Sequence, residues 1–145
     1  MGENRRRIDS VTYWRCYYHI IWATKHRAPL ITADHETFLF DYIPQVAQEL
    51  GSQIFAINGT QDHIHIAATI PPKMSISQWV KRIKGASSSQ CNQIITNEER
   101  FHWQRGFGVL TYGKKRLDYV IQYIHNQKQH HADNTIQPYL EHVDD

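Results

Sequence analysis

The residues with the clearest chemical potential are two histidines in the run Asp62-His63-Ile64-His65-Ile66. They open an alternating stretch, His63 to Ile70, in which Ile64, Ile66, Ala68 and Ile70 share one side. A strand sends alternate side chains to opposite faces, so both imidazoles project together, about 7 Å apart along the strand. Rings at that spacing can lean together and chelate one ion, a common role for neutral imidazole. The same spacing also fits two half-exposed histidines on a solvated sheet face, because His-x-His is a short and permissive pattern. A third donor would tip the balance. Tyr123 and Gln127 lie four apart in a helical run, on one side of the helix and about a quarter turn from its apolar stripe of Leu117, Val120, Ile121 and Ile124. Gln127 could complete a metal site through its amide oxygen, and Tyr123 would bring a phenol to the same ion. The plainer alternative is that both form the amphipathic border of a packed helix.

The elements that must position these groups are legible in outline. Thr12 to Ala23 alternates, with Trp14, Cys16, Tyr18, Ile20 and Trp22 on one side and Arg15, Tyr17 and His19 on the other, which predicts a half-buried strand. On this pattern Trp14 and Trp22 belong to the core, and His19 faces the surface or supports the metal site from behind. Thr32 to Gly51 carries helical periodicity with Asp34 as a possible N-cap, Gly51 as the stop and Pro44 predicting a kink or break. Gln53 to Asn58 and His63 to Ile70 suggest a hairpin about a Gly59 to Asp62 turn. Ser75 with Gln78 reads as a capping box, and Ile76, Trp79, Val80 and Ile83 form the stripe of a second helix, whose continuation through Gly85 to Ser89 is weakly signalled. Phe107 to Tyr112 predicts a strand, and the helix from Lys114 reaches about His131, where His130 and His131 contact DNA or cap the helix end. Strand, helix, strand, strand, helix, strand, helix is the order of a ferredoxin-like α+β fold: an antiparallel sheet with helices on one face and a C-terminal helix carrying the tyrosine.

At 145 residues, with 41% hydrophobic and 21% charged, the chain has the size and composition of one soluble globular domain, its core about residues 10–131 and a polar tail over 132–145. No apolar run approaches a membrane span of roughly 20 residues, and the N-terminus lacks a secretory apolar stretch, so a cytoplasmic protein is expected. Cys16 and Cys91 are too few for a disulfide framework or a cysteine zinc site. No Gly-rich dinucleotide or P-loop pattern occurs, which argues against a nucleotide cofactor. The net charge of +2 is small, but the cations cluster at Arg5 to Arg7, Lys25 to Arg27, Lys81 to Lys84 and Lys114 to Arg116. Clustered cations with 12% aromatics point to nucleic acid as partner.

The segments "HIIWATKHRAPL" (His19 to Leu30), "QDHIHIAATIPPKMSISQWVKRIKGASS" (Gln61 to Ser88), "FHWQRGFGVLTYG" (Phe101 to Gly113) and "YVIQYIHNQKQHH" (Tyr119 to His131) resemble the single-tyrosine HUH transposases. These are the small transposases of the simplest bacterial insertion sequences and their palindrome-associated relatives. The likeness spans roughly Tyr13 to His131 with its motifs in the family's order. It implies His63 and His65 as the histidine pair, Gln127 as third ligand of Mg²⁺ or Mn²⁺, and Tyr123 as nucleophile. Ligand preference alone would favour zinc or another transition ion for imidazole donors. The resemblance further implies single-stranded DNA with a hairpin as substrate, a 5′-phosphotyrosine intermediate and a homodimer. Arg27, Lys81, Arg82 and Lys84 are candidates to track phosphates. Two rival readings are a non-catalytic nucleic-acid-binding module descended from such a transposase, and a phosphohydrolase acting on small nucleotides. The latter needs further acidic or histidine ligands, which the sequence does not place near the pair.

Overall fold

The alternating run that ends at Ala23 forms β1 (Tyr17–Ala23), and the later elements follow in the expected order: α1 (Ala33–Glu49), β2 (Ile54–Gly59), β3 (His63–Thr69), α2 (Ile76–Ile94), β4 (Gly108–Tyr112), α3 (Leu117–His125) and α4 (Gln127–Asp133). The computed structural model describes residues 13–96, 98–134, 136 and 141, so the Arg5 to Arg7 cluster, Thr12 and most of the polar tail lie outside it. The four strands form one antiparallel sheet in the order β2-β3-β1-β4, which is the ferredoxin-like α+β arrangement.

One face of the sheet carries the main core. Ile20, Trp22, Ile64, Ile66 and Ala68 pack there against Leu39, Ile43 and Ala47 of α1 and Trp79, Val80 and Ile83 of α2. The other face is covered by α3, whose Val120 and Ile124 pack on Ala56 and Ala67. Burial on both faces is why β1 is not the half-buried strand that its alternation predicts: Tyr17 and His19 are buried on one face as Ile20 and Trp22 are on the other. Trp14 precedes the strand and is only partly buried.

Helix boundaries follow local chemistry. Thr32, not Asp34, caps α1, its hydroxyl accepting from the His35 N–H. Thr32 keeps the extended backbone a cap requires, whereas Asp34 already lies in the first turn, where its charge complements the helix dipole. Gly51, at φ +84, takes the left-handed conformation that follows the end of α1. Pro44 does not break α1. It forgoes one backbone bond, while Ile43, Val46 and Ala47 around it are buried against the sheet and α2. Ser75 and Gln78 make the reciprocal cap of α2, and α2 runs through the small residues to Ile94 because Ser87 and Cys91 continue its buried stripe. The last helix is two: Asn126 (φ −97, ψ 19) interrupts it between α3 and α4. Backbone bonds from Asn126 N to Gln122 O and from His130 N to Asn126 O keep the two segments in line.

Candidate functional site

β3 presents His63 and His65 on the face covered by α3. The register pairs Ala23 with His63, Ile21 with His65 and His19 with Ala67, so odd-numbered residues of β1 and β3 share that face and His19 lies diagonal to His65. The turn into β3 is set by Gly59, where an added Cβ would come within 2.2 Å of the His63 carbonyl oxygen. The junction of α3 and α4 is tied down at the same end of the sheet. Asn58 Nδ2 donates to His125 O at 3.0 Å, and Lys128 Nζ donates to Asn58 Oδ1 at 2.8 Å and Gly59 O at 3.1 Å. The histidines are therefore enclosed, His63 4% and His65 0% exposed, rather than standing on a solvated sheet.

Each ring is oriented by a partner. His63 Nδ1 lies 2.7 Å from Asp62 Oδ1. A carboxylate only accepts, so Nδ1 carries the hydrogen and Nε2 is the ring nitrogen left able to ligate a metal. That Nε2 is buried with no hydrogen-bond partner among the described residues. Burial alone would lower the His63 pKa, but the carboxylates of Asp62 and Glu141 outweigh it and leave the ring more basic than usual. His65 differs. Burial foremost holds it down to about 4, so it is neutral at neutral pH. Its Nε2 lies 3.0 Å from Glu141 Oε1 and its Nδ1 lies 2.8 Å from His19 Nε2. With the Nε2 hydrogen directed at the carboxylate, Nδ1 accepts from His19; in the opposite tautomer Nδ1 donates to His19 Nε2 and leaves the Nε2 lone pair free to ligate. Burial and the neighbouring His65 hold His19 down to about 3, and its Nδ1 is a buried atom with no partner among the described residues. His19 is thus no surface residue; it fixes the orientation of His65.

Tyr123 on α3 and Gln127 at the start of α4 meet the histidines at one point, marked by the carboxylate of Glu141. The Tyr123 hydroxyl donates to Oε2, and Gln127 Nε2 donates to Oε1 and Oε2 at 3.2 and 3.0 Å. His63 Nε2 and His131 Nε2 each lie 3.5 Å from Oε1. Burial by itself would raise the Glu141 pKa, yet its contacts to His63, His65 and Tyr123 hold it well below the usual carboxylate range. Tyr123 is 3% exposed, its ring stacked on His130 at 4.4 Å between centroids.

All four predicted site residues, His63, His65, Tyr123 and Gln127, are therefore brought together. His63 Nε2 and Gln127 Oε1 are buried with no hydrogen-bond partner among the described residues, and donor atoms of His63, His65 and Glu141 lie within 4.8 Å of one another. Two imidazole nitrogens with amide and carboxylate oxygens suit a divalent cation. Glu141 and His131 are the acidic and histidine neighbours that the sequence does not reveal. Asp62 is visible in retrospect as the residue before the pair, whereas Glu141 stands in a tail without periodicity.

The basic candidates differ in their distance from the histidines. Arg27 reaches Asp62 at 3.8 Å and so borders the site. Lys81 and Arg82 are exposed on α2, on the other side of the sheet. Lys84 donates to the carbonyls of Gln104 and Gly106 at 2.7 and 2.6 Å and holds that loop, burial bringing its pKa down to about 8. No helix among the described residues is long and apolar enough to cross a membrane.

Known proteins resemble the chain in sequence and in fold. Residues 12–127 match the family described as "Transposase IS200 like". The chain is 30% identical over 125 residues to the transposase for insertion sequence element IS200 of Salmonella typhimurium, covering 81% of this chain and 82% of that one. It is 24% identical over 115 residues to the ISDra2 transposase TnpA of Deinococcus radiodurans, covering 76% and 82%. A crystal structure of a candidate transposase from Deinococcus radiodurans superposes with a TM-score of 0.64 at 26% identity, over 88% of this chain and 98% of that one. The fold is shared as well with a REP-associated tyrosine transposase bound to a REP hairpin, at a TM-score of 0.60 and 18% identity over 94% and 76%. With its family match spanning most of the chain and both histidines, the tyrosine and the glutamine inside the matched segment, this protein belongs to the IS200-like transposases.

Proposed function

We propose that the protein cleaves and rejoins single-stranded DNA at hairpin-marked ends through a covalent bond to Tyr123, assisted by a divalent metal ion. The observation that carries this reading is the convergence of the Tyr123 hydroxyl, the Gln127 amide and the His63 and His65 rings on one point. His63, His65 and Gln127 would hold Mg²⁺ or Mn²⁺, with Glu141 beside them. A bound ion would supply Lewis acidity to a non-bridging oxygen of the scissile phosphate.

The chain's own groups do the rest. Asp62 and His19 keep the two imidazoles in fixed orientations. Tyr123 would pass its phenolic proton to the Glu141 carboxylate it donates to and attack phosphorus; the bond to the leaving DNA oxygen breaks, that oxygen takes up the proton as a free DNA hydroxyl, and the strand is held as a phosphotyrosine. A phenol of pKa about 10 is a better leaving group than an alcohol, so a DNA hydroxyl can later displace Tyr123 and rejoin the strand without ATP. The hairpin held by the REP-associated relative supports a hairpin as the recognised feature, with Arg27, Lys81 and Arg82 available to phosphates. Action as a homodimer, with α3 of one subunit serving the other, belongs to the same reading. Mixing His63→Ala and Tyr123→Phe subunits tests it, because recovered cleavage requires the tyrosine to act across the dimer.

The principal test is incubation with labelled hairpin DNA and Mn²⁺ or Mg²⁺, followed by a denaturing gel. A protein–DNA adduct is expected, lost with chelator, with His65→Ala and with Tyr123→Phe. Retained hairpin binding with no adduct under any metal would instead identify a non-catalytic binding module.

A further inference from the structure

Beyond the site, the cations are sorted from the anions along one surface. A cleft of about 690 Å³ lies between the Lys25–Arg27 turn and residues 102–105. Residues 102–105 also line the next cleft, of about 580 Å³, which reaches Lys81 and Lys84 of α2. Lys81 and Gly85 carry on into a third, of about 560 Å³, beside Lys73 and Arg82. Among the described residues, seven Lys or Arg line this chain of clefts and no Asp or Glu does, although the protein has 16 of the former against 14 of the latter.

The groove starts where the candidate site ends. Ala23 pairs with His63 across the sheet, and Arg27, at the groove's rim, reaches the Asp62 carboxylate that orients His63. Its first wall is held in an unusual shape: His26 and Arg27 both have positive φ, 57° and 52°. That backbone is kept by Gln104 Oε1 accepting from the His26 N–H at 3.0 Å and by the Lys25 N–H donating to His102 O at 2.9 Å. Two successive non-glycine residues in this region are strained, and such strain persists where the surrounding structure enforces it. Trp103, half-buried, and His102, exposed, offer ring surface between the cations.

Resting on the reading of the site given above, we propose that this groove is the track for a single-stranded DNA segment that continues from the phosphate attacked by Tyr123. A single strand fits the chemistry better than a duplex. Concave basic channels with interleaved aromatic rings hold splayed backbones and stack their bases, whereas a duplex is read by an element that protrudes into its groove.

The test is fluorescence anisotropy with the full chain and two labelled oligonucleotides, a bare hairpin and the same hairpin with single-stranded extensions. Lys25→Glu/Arg105→Glu changes two exposed side chains outside the site. The double variant should bind the extended oligonucleotide about tenfold or more weakly, and its salt dependence should flatten by about 0.7 per lost phosphate contact. Binding of the bare hairpin should stay within about twofold. Lys25→Ala/Arg105→Ala, checked by thermal melting, serves if charge reversal disturbs folding. Equal affinity of the wild type for both oligonucleotides, or undiminished binding of the extended one by the variants, overturns the proposal. The adduct assay separates the two readings: a wild type that binds the extension but never forms an adduct refutes the site chemistry and leaves the groove standing.

Discussion

Asp62→Ala isolates the orientation of a candidate metal ligand from the ligand itself. In the native chain Asp62 Oδ1 sits 2.7 Å from His63 Nδ1, and its side chain is 35% exposed, so its removal leaves no core cavity. A divalent charge beyond Nε2 would lie about 7 Å from this carboxylate, adding about 2 Å across the ring and about 2 Å to the ion. Coulomb attraction at that distance is about 1 kcal/mol at the dielectric of water and about 5 kcal/mol at the effective dielectric near a protein surface. The solvated side of Asp62 favours the lower half of this interval, in line with the 10- to 100-fold, or about 1.4 to 2.7 kcal/mol, typical of partners that orient ligating histidines. Titration calorimetry of Mn²⁺ into the DNA-free protein should therefore show an affinity roughly 10- to 50-fold weaker in Asp62→Ala. Asp62→Asn, which keeps an accepting oxygen but loses the charge, should fall between. A folded Asp62→Ala with Mn²⁺ affinity within about twofold of wild type would refute the assignment of His63 Nε2 as a ligand atom.

Three further outcomes are expected. Gly59→Ala places a methyl 2.2 Å from the His63 carbonyl oxygen, so the backbone must shift at the site; urea denaturation should show a loss of about 1 to 3 kcal/mol, together with weakened Mn²⁺ binding. Burial holds the Lys84 pKa near 8, below its unfolded value, so the folded chain binds fewer protons between about pH 8 and pH 10 and stability should rise with pH across that window. Thermal melts of Lys84→Met should lack this rise. Glu141→Gln keeps the shape of the side chain while removing its charge, and should weaken Mn²⁺ binding roughly tenfold in calorimetry; unchanged affinity would mean that the carboxylate takes no part in holding the ion.

How far the sequence revealed this site depends on periodicity. Strand alternation sends His63 and His65 to one face and helical spacing puts Tyr123 near Gln127, because both patterns depend on local backbone geometry alone. The sheet order and the burial of the second face do not, since α3 packs on Ala56 and Ala67 through contacts distant in sequence. Without that knowledge His19 looks like a surface residue on the polar side of β1, whereas the register with β3 makes it the partner of His65. Asp34 and Thr32 are both plausible caps on residue type, and only the backbone at Thr32 chooses between them. Asn126 gave no warning of the interruption before Gln127, because asparagine is only mildly unfavourable within a helix.

Glu141 presents the sharpest electrostatic question in the molecule. The family match ends at Gln127, so this carboxylate comes from outside the matched segment and still contacts the tyrosine, the glutamine and the histidines. The donors it engages, a phenol hydroxyl, an amide N–H and imidazole, are also those a phosphate oxygen would seek. A carboxylate and a phosphodiester in one enclosed site repel each other strongly, because little water remains to screen them. A divalent cation between them turns that repulsion into two attractions. On the proposed chemistry Glu141 would make the site more dependent on a divalent ion than the histidines and glutamine alone would, and the charge it adds would favour binding the ion before the DNA. Calorimetry distinguishes the order: Mn²⁺ should bind the DNA-free wild type more tightly than Glu141→Gln, and DNA affinity should rise with Mn²⁺ more steeply in the wild type than in the variant.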